Sequence, residues 1–277
     1  MERPEGDPLW PDRLLFLGCG NMAGAILSRW LDCGLPPYRV QVVRPSGKAV
    51  APDVEVMTHL EQTVTAGTWI VLGFKPQQLS QVAAEIGPFL GHHPRLLSIL
   101  AGVPVAQLEQ CFPDVAAIVR CMPNLPVRTG QGVSLFYPGR GIDDKRREDI
   151  SVTFRLLGLV EWLDDEALFD AATALSGCGP AFVYRFIDAL AVVGASLGLD
   201  PEMAARMARA TVAGAGASAV QSKRSPAEMA DAVASKGGMT RQGLDVLDAD
   251  DALNALVERT LRAARDRGAE LARLAKG

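Results

Sequence analysis

Apolar positions fall into two textures along the chain. In the first half they gather in short unbroken runs: Leu14–Leu17, Val40–Val43, Trp69–Phe74, Leu96–Leu100 and Ala116–Arg120. Runs this short and this apolar predict strands covered on both faces, as in a parallel sheet sandwiched by helices. Helical segments separate them. The first, Ala23 to Cys33, is stopped by Gly34-Leu35-Pro36-Pro37, with glycine just past the last turn and proline beyond it. Strand–helix alternation at this spacing predicts a doubly wound α/β domain.

The texture changes near residue 165. From Leu168 onward no strand pattern is found and alanine dominates. Pro180–Leu197, Pro201–Ser222 and Ala249–Lys276 read as helices. Asp200 is placed to cap the second of these ahead of Pro201, and Ser225 precedes Pro226 in the same way. The expected division is an α/β domain over 1–166 and an all-α domain over 167–277. Stretches such as AVVGASLGL and ATVAGAGASAV are small and apolar nearly all round. Such helices need more burial than a domain of this size offers alone, which predicts an intertwined homo-oligomer.

Composition narrows the picture. The chain has 277 residues and a formal net charge of -4, so nothing electrostatic points to nucleic acid or an anionic membrane as a partner. The longest apolar stretches are broken by Gly, Pro or charge, and no membrane span is expected. The start, MERPEGDPLWPDR, lacks the basic-then-apolar order of a secretory signal. The five cysteines (Cys19, Cys33, Cys111, Cys121, Cys178) have no CxxC spacing, which argues for reduced thiols in the cytoplasm and against a metal site.

The candidate chemistry sits where strands end. Gly18, Gly20 and Ala23 form a G-x-G-x-x-A turn between a strand and a helix, with Asn21 and Met22 inside it. Its glycines admit a pyrophosphate to the backbone, and the helix start supplies amides and a positive dipole end. The second strand ends in VVRPSGK rather than in the Asp or Glu that would take a ribose 2′-hydroxyl. Arg44, Ser46 and Lys48 suit a 2′-phosphate, which favours NADPH over NADH. Phe74-Lys75 and Ala101-Gly102 end the next two strands and are further cofactor candidates. Asn124 either orients a ligand or closes an Asx-type turn. In the second half, Ser235-Lys236-Gly237-Gly238-Met239-Thr240 can converge backbone amides and two hydroxyls on a small carboxylate at a helix start. Ala174–Pro180 reads as glycine-rich punctuation entering a helix. His59, His92 and His93 all fall in the first half, and none is placed as a catalytic base.

Together FLGCGNMAGAI, FKPQQ, SILAGV, VRCMPNLPV, ALSGCGPAFVY and SKGGMTRQGL resemble the pyrroline-5-carboxylate reductases over nearly the whole chain. The resemblance implies a Rossmann-type domain followed by a helical dimerisation domain, a homodimer that can assemble further, and NADPH-dependent reduction of a cyclic imine to L-proline, with NADH as the weaker donor. It also implies that Thr240 hydrogen-bonds the imine nitrogen, that Ser235 and the amides of Met239 and Thr240 hold the carboxylate, and that Gly18, Gly20, Asn21, Met22, Lys75, Ala101 and Gly102 line the cofactor. The chain departs from the family pattern at Lys236, Met239, Leu125, Cys178, Leu60 and Lys223. Those departures leave open a reductase of another cyclic imine acid and a nicotinamide-binding paralogue without turnover.

Overall fold

The computed structural model describes residues 9–274 apart from His92. The acidic N-terminal octapeptide, His92 and the last two positions of the helix expected to reach Lys276 lie outside the described residues. The chain forms two compact units, one holding the residues up to Cys178 together with those from Ala264 on, the other spanning Gly179–Ala263.

Among the described residues the first unit contains strands β1 Leu14–Leu17, β2 Val40–Val43, β3 Glu55–Met57, β4 Trp69–Leu72, β5 Arg95–Ser98, β6 Ala117–Pro123, β7 Gly132–Pro138 and β8 Gly158–Trp162. They build one sheet in the order β3-β2-β1-β4-β5-β6-β7-β8. Helices α1 Asn21–Asp32, α2 Leu79–Ile86, α3 Val105–Cys111 and α4 Asp144–Phe154 cover its faces, and the short α5 Phe169–Ala172 follows β8.

The apolar runs are buried on both sides, as their lack of alternation predicted. Leu14 and Phe16 of β1 pack into one layer with Trp30 of α1 and Phe154 of α4, while Leu15 and Leu17 pack into the other with Leu79 and Leu108. Trp30 and Phe154 meet edge to face with ring centroids 5.1 Å apart. The Trp30 indole donates to the Thr153 carbonyl at 3.2 Å, so its one polar atom is satisfied inside the core.

The sheet is parallel-dominant, as expected. Its one antiparallel pairing among the described residues is that of β6 with β7, which follows the tight turn Leu125–Thr129, and β8 then adds parallel to β7. A connection of this length cannot cross over to a parallel neighbour. One expectation needs correction, that of membrane length. The helical stretch Glu166–Ser196 is long and apolar enough to cross a membrane by length and composition, despite Gly177, Gly179, Pro180 and four charged residues, Glu166, Asp170, Arg185 and Asp188.

The second unit is helical: α6 Gly179–Ser196, α7 Pro201–Gln221, α8 Pro226–Ala232, α9 Met239–Asp248 and the beginning of α10 Ala252–Leu274. Asp200 caps α7 by accepting from the Met203 amide at 2.9 Å, and Ser225 and Glu228 form a reciprocal capping box on α8. Small residues let α6 and α7 close on each other, with Ala204 and Ala208 buried and Gly194 facing Ala204. Val183, Phe186, Leu190 and Val193 of α6 make an apolar stripe at three- and four-residue spacing, yet each is at least 40% exposed within a single chain. A stripe of this kind calls for cover by another chain.

Candidate functional site: a dinucleotide edge and a glycine-rich helix start

The glycine turn is built by two backbones that touch. Gly18 has φ +78°, and its amide donates to the Val43 carbonyl at 2.8 Å. A Cβ at Gly18 would lie 2.9 Å from the Gly73 carbonyl oxygen. Gly73 is tighter still, because a Cβ there would lie 2.7 Å from the Gly18 oxygen and 2.8 Å from the Ala23 Cβ. Gly73, at the position where β4 has just ended, was expected to belong to the strand; its site role went unread. The interlocked pair brings the end of β1 against the end of β4 while Gly20 starts α1 with no capping side chain. The first amides of α1 therefore have no side-chain acceptor, the arrangement that suits anionic groups at helix starts.

The remaining cofactor candidates lie along the same edge. β1 is flanked by β2 on one side and β4 on the other, so the strand order reverses beside Gly18. Ligands of doubly wound sheets bind at the carboxyl ends of strands at this reversal. Arg44 follows β2, and its amide donates to the Met57 carbonyl at 2.9 Å. Its charge also reaches Cys19 inside the glycine turn: burial pushes the Cys19 thiol up and Arg44 pulls it partly back. Ser46 accepts from the Lys48 amide at 3.4 Å in the exposed turn that follows. Phe74 is half-buried beside exposed Lys75 after β4, and Ala101-Gly102 follow β5 with Gly102 at φ +74°. Asn21 is exposed and Met22 packs partly on the core. A cavity of about 440 Å³ lies elsewhere, bounded by Trp10, Trp69, Arg95 and α4 at the opposite ends of β1, β4 and β5, away from this edge.

Next to the edge, two buried polar groups are committed to structure. The Asn124 side chain donates to the Ser176 carbonyl and accepts from the Val133 amide, each at 2.8 Å, which ties β6 and β7 to the turn 173–177. The side chain is thus a clamp between elements distant in sequence, not the closure of an Asx-type turn. Sequence reasoning missed the second group. Arg120 of β6 is 5% exposed, pairs with Glu166 at 2.8 Å and lies 3.7 Å above the centroid of the Phe169 ring. Burial pulls its pKa down, and the facing carboxylates Glu166 and Asp170 hold it up.

In the helical unit, residues 235–240 form a tight turn into α9. The Gly238 amide donates to the Ser235 carbonyl at 2.9 Å, and Gly237 has φ +72°. A Cβ at Gly238 would lie 2.5 Å from the Ser235 hydroxyl oxygen, so a side chain there would push that hydroxyl aside, and the positive φ makes Gly237 the glycine the turn needs. Met239 and Thr240 open α9 with their side chains exposed, and no side chain caps the helix. Arg241, unflagged by the sequence, brackets the turn: it pairs with Asp231 of α8 at 3.1 Å and with Asp245 and Asp248 of α9 at 2.9 and 3.0 Å. The departures Lys236, Lys223 and Leu125 are all exposed, whereas Leu60 packs partly against the core.

A doubly wound sheet with an uncapped glycine turn at its switch point, joined to an apolar helical unit, defines a dinucleotide-dependent oxidoreductase. Comparison with known proteins narrows the class. Residues 13–102 match the NADP oxidoreductase, coenzyme F420-dependent, family model and residues 166–271 match that for pyrroline-5-carboxylate reductase dimerisation. A pyrroline-5-carboxylate reductase of Pseudomonas aeruginosa is 34% identical over 265 residues, covering 94% of this chain and 97% of that protein. One from Pisum sativum is 32% identical over 255 residues, covering 90% and 93%. The solved Coxiella burnetii reductase superposes with a TM-score of 0.85 at 28% identity, covering 95% of this chain and 99% of that one. The Plasmodium falciparum enzyme, with NADP bound, gives 0.78 at 25%, covering 94% and 98%. The chain belongs to the pyrroline-5-carboxylate reductase family.

Proposed function

We propose that the chain reduces 1-pyrroline-5-carboxylate to L-proline with NADPH. The observation that carries this is the interlocked Gly18–Gly73 backbone beneath an uncapped helix start. It keeps the turn free of side chains beside the first amides of α1, which a pyrophosphate would use. Gly18, Gly20, Asn21 and Met22 hold the pyrophosphate, Arg44 and Ser46 the 2′-phosphate, and Phe74, Lys75, Ala101 and Gly102 the nicotinamide end. Bound NADPH supplies a hydride. Ser235, Gly237, Gly238 and the amides of Met239 and Thr240 hold the carboxylate, while the Thr240 hydroxyl holds the ring nitrogen. As the C–H bond forms, the π electrons of the protonated C=N settle on nitrogen, and the amine then takes a proton from water. No placed histidine is required, because a protonated imine is already electrophilic. NADPH oxidation across five- and six-membered cyclic imine acids tests the substrate. The five-membered 5-carboxylate should turn over fastest, and a six-membered acid preferred over it would reassign the enzyme.

The cofactor reading has its own test. A charge-assisted contact contributes about 1.5–3 kcal/mol, so Arg44→Ala should raise the NADPH Michaelis constant roughly ten- to hundredfold and leave NADH little changed. Equal losses with both nucleotides would remove Arg44 from the 2′-phosphate.

The same reading includes a homodimer, able to assemble further, built by residues 167–277 and a cofactor domain over 1–166. The match to a dimerisation model and the exposed stripe on α6 support it. No folded monomer should persist at micromolar concentration in sedimentation experiments. The five cysteines are free thiols, which suits a reducing cytoplasm.

A further inference from the structure

The turn 101–104 that follows β5 is held by the fully buried Val103 side chain and, where it enters α3, by a carboxylate distant in the chain. Pro104 occupies the N-cap of α3 and brings no capping side chain. The first amide of the helix, that of Val105, is an orphan of the kind helix starts leave. It is satisfied from 61 residues away: Val105 N–H donates to Glu166 Oε1 at 2.9 Å. The same oxygen accepts from Arg120 at 2.8 Å. Phe169, fully buried, carries the Arg120 guanidinium on its face. One carboxylate oxygen thus ties the end of the Ala101–Pro104 turn to a central strand. A buried ion pair is often no more stabilising than apolar residues of the same size, so stability alone is a weak reason for it.

We infer that Glu166 is a positioning residue for hydride transfer, fixing the Ala101–Pro104 turn against the nicotinamide end of NADPH through Val105, with Arg120 holding its charge. The inference rests on the reading that Ala101 and Gly102 meet the nicotinamide end. Its test compares NADPH with 2′-phosphoadenosine diphosphoribose, the same nucleotide without the nicotinamide, by calorimetry on the full chain. Arg120→Met/Glu166→Leu removes the charges together and leaves Val105 without an acceptor. It should weaken NADPH and lower kcat by roughly tenfold each, as for one lost hydrogen bond, and leave the nicotinamide-free nucleotide within about twofold. Arg120→Met/Glu166→Gln keeps an amide oxygen for Val105 and should restore the preference for NADPH. Val105→Pro deletes the donor at a position where a helix start tolerates proline, leaves the pair intact, and should reproduce the tenfold pattern. A merely structural pair would weaken both nucleotides alike in the Leu variant, and that result, or no loss in Val105→Pro, overturns the inference. Ala101→Trp separates the two layers. If it blocks NADPH and spares the shorter nucleotide while the Glu166 and Val105 variants do nothing, the coupling alone fails. If it affects neither, the assignment of the turn fails and the inference with it.

Discussion

Gly73→Ala should cost the chain most of its NADPH affinity while leaving the helical unit intact. A Cβ at this position has nowhere to go, since the atoms it would meet are the Gly18 carbonyl oxygen at 2.7 Å and the Ala23 Cβ at 2.8 Å. Neither is the end of a flexible side chain. Relief requires β4 to move away from the turn after β1, which is held by the Gly73 amide donating to the Leu17 carbonyl at 2.8 Å. Overpacking of this sort costs about 1–3 kcal/mol, and where that cost falls on the pyrophosphate turn the NADPH dissociation constant should rise roughly five- to a hundred-and-fiftyfold. Fluorescence titration of NADPH measures this, with circular dichroism as the check on folding. Gly18→Ala meets the Gly73 carbonyl oxygen at 2.9 Å and in addition forces φ +78° on a residue with a side chain, so its loss should be at least as large. Unchanged NADPH binding in folded Gly73→Ala would mean that the pyrophosphate does not sit on this turn.

The residues that fail in these variants were not equally visible in the sequence. Gly18 and Gly20 stood in a spaced pattern between an apolar run and a helix, and the strands on either side, β1 and β2, needed only their unbroken hydrophobicity. Gly73 looked like the fifth residue of the run WIVLGF. What makes it special is contact with Gly18, more than fifty positions away in the chain, and no local pattern records that. The strands that went unread fail for the same reason. β3 has three residues at an edge, and β7 and β8 begin at Gly132 and Gly158, whose backbones press together. Glycine reads as a breaker where it is in fact a point of close approach. Arg120 sits inside a run read as apolar, and its partner Glu166 lies at the point where the composition changes, so the pair is defined only once β6 and the entry to α5 are adjacent. By contrast, SKGGMT announced its turn, because consecutive glycines before a helix mark a turn and supply the positive φ that Gly237 adopts.

Thr240→Val should lower kcat/KM for 1-pyrroline-5-carboxylate by ten- to a few hundredfold, the effect of about 1–3 kcal/mol for one aligned hydrogen bond in a desolvated site. Valine keeps the volume and loses the hydroxyl. Thr240 is the second residue of α9, exposed within a single chain, and its side chain makes no hydrogen bond to cap the helix. Loss of the hydroxyl therefore leaves the turn standing, as it is still closed by the Gly238 amide on the Ser235 carbonyl and bracketed by Arg241. NADPH affinity should hold, since the glycine turn belongs to the other unit. Ser235→Ala should behave differently. A carboxylate is held equally before and during hydride transfer, so that variant should raise the substrate Michaelis constant more than it lowers turnover. The contrast separates the two hydroxyls of one turn. Steady-state kinetics at saturating NADPH reads both, and near wild-type efficiency in folded Thr240→Val would assign the ring nitrogen to another group.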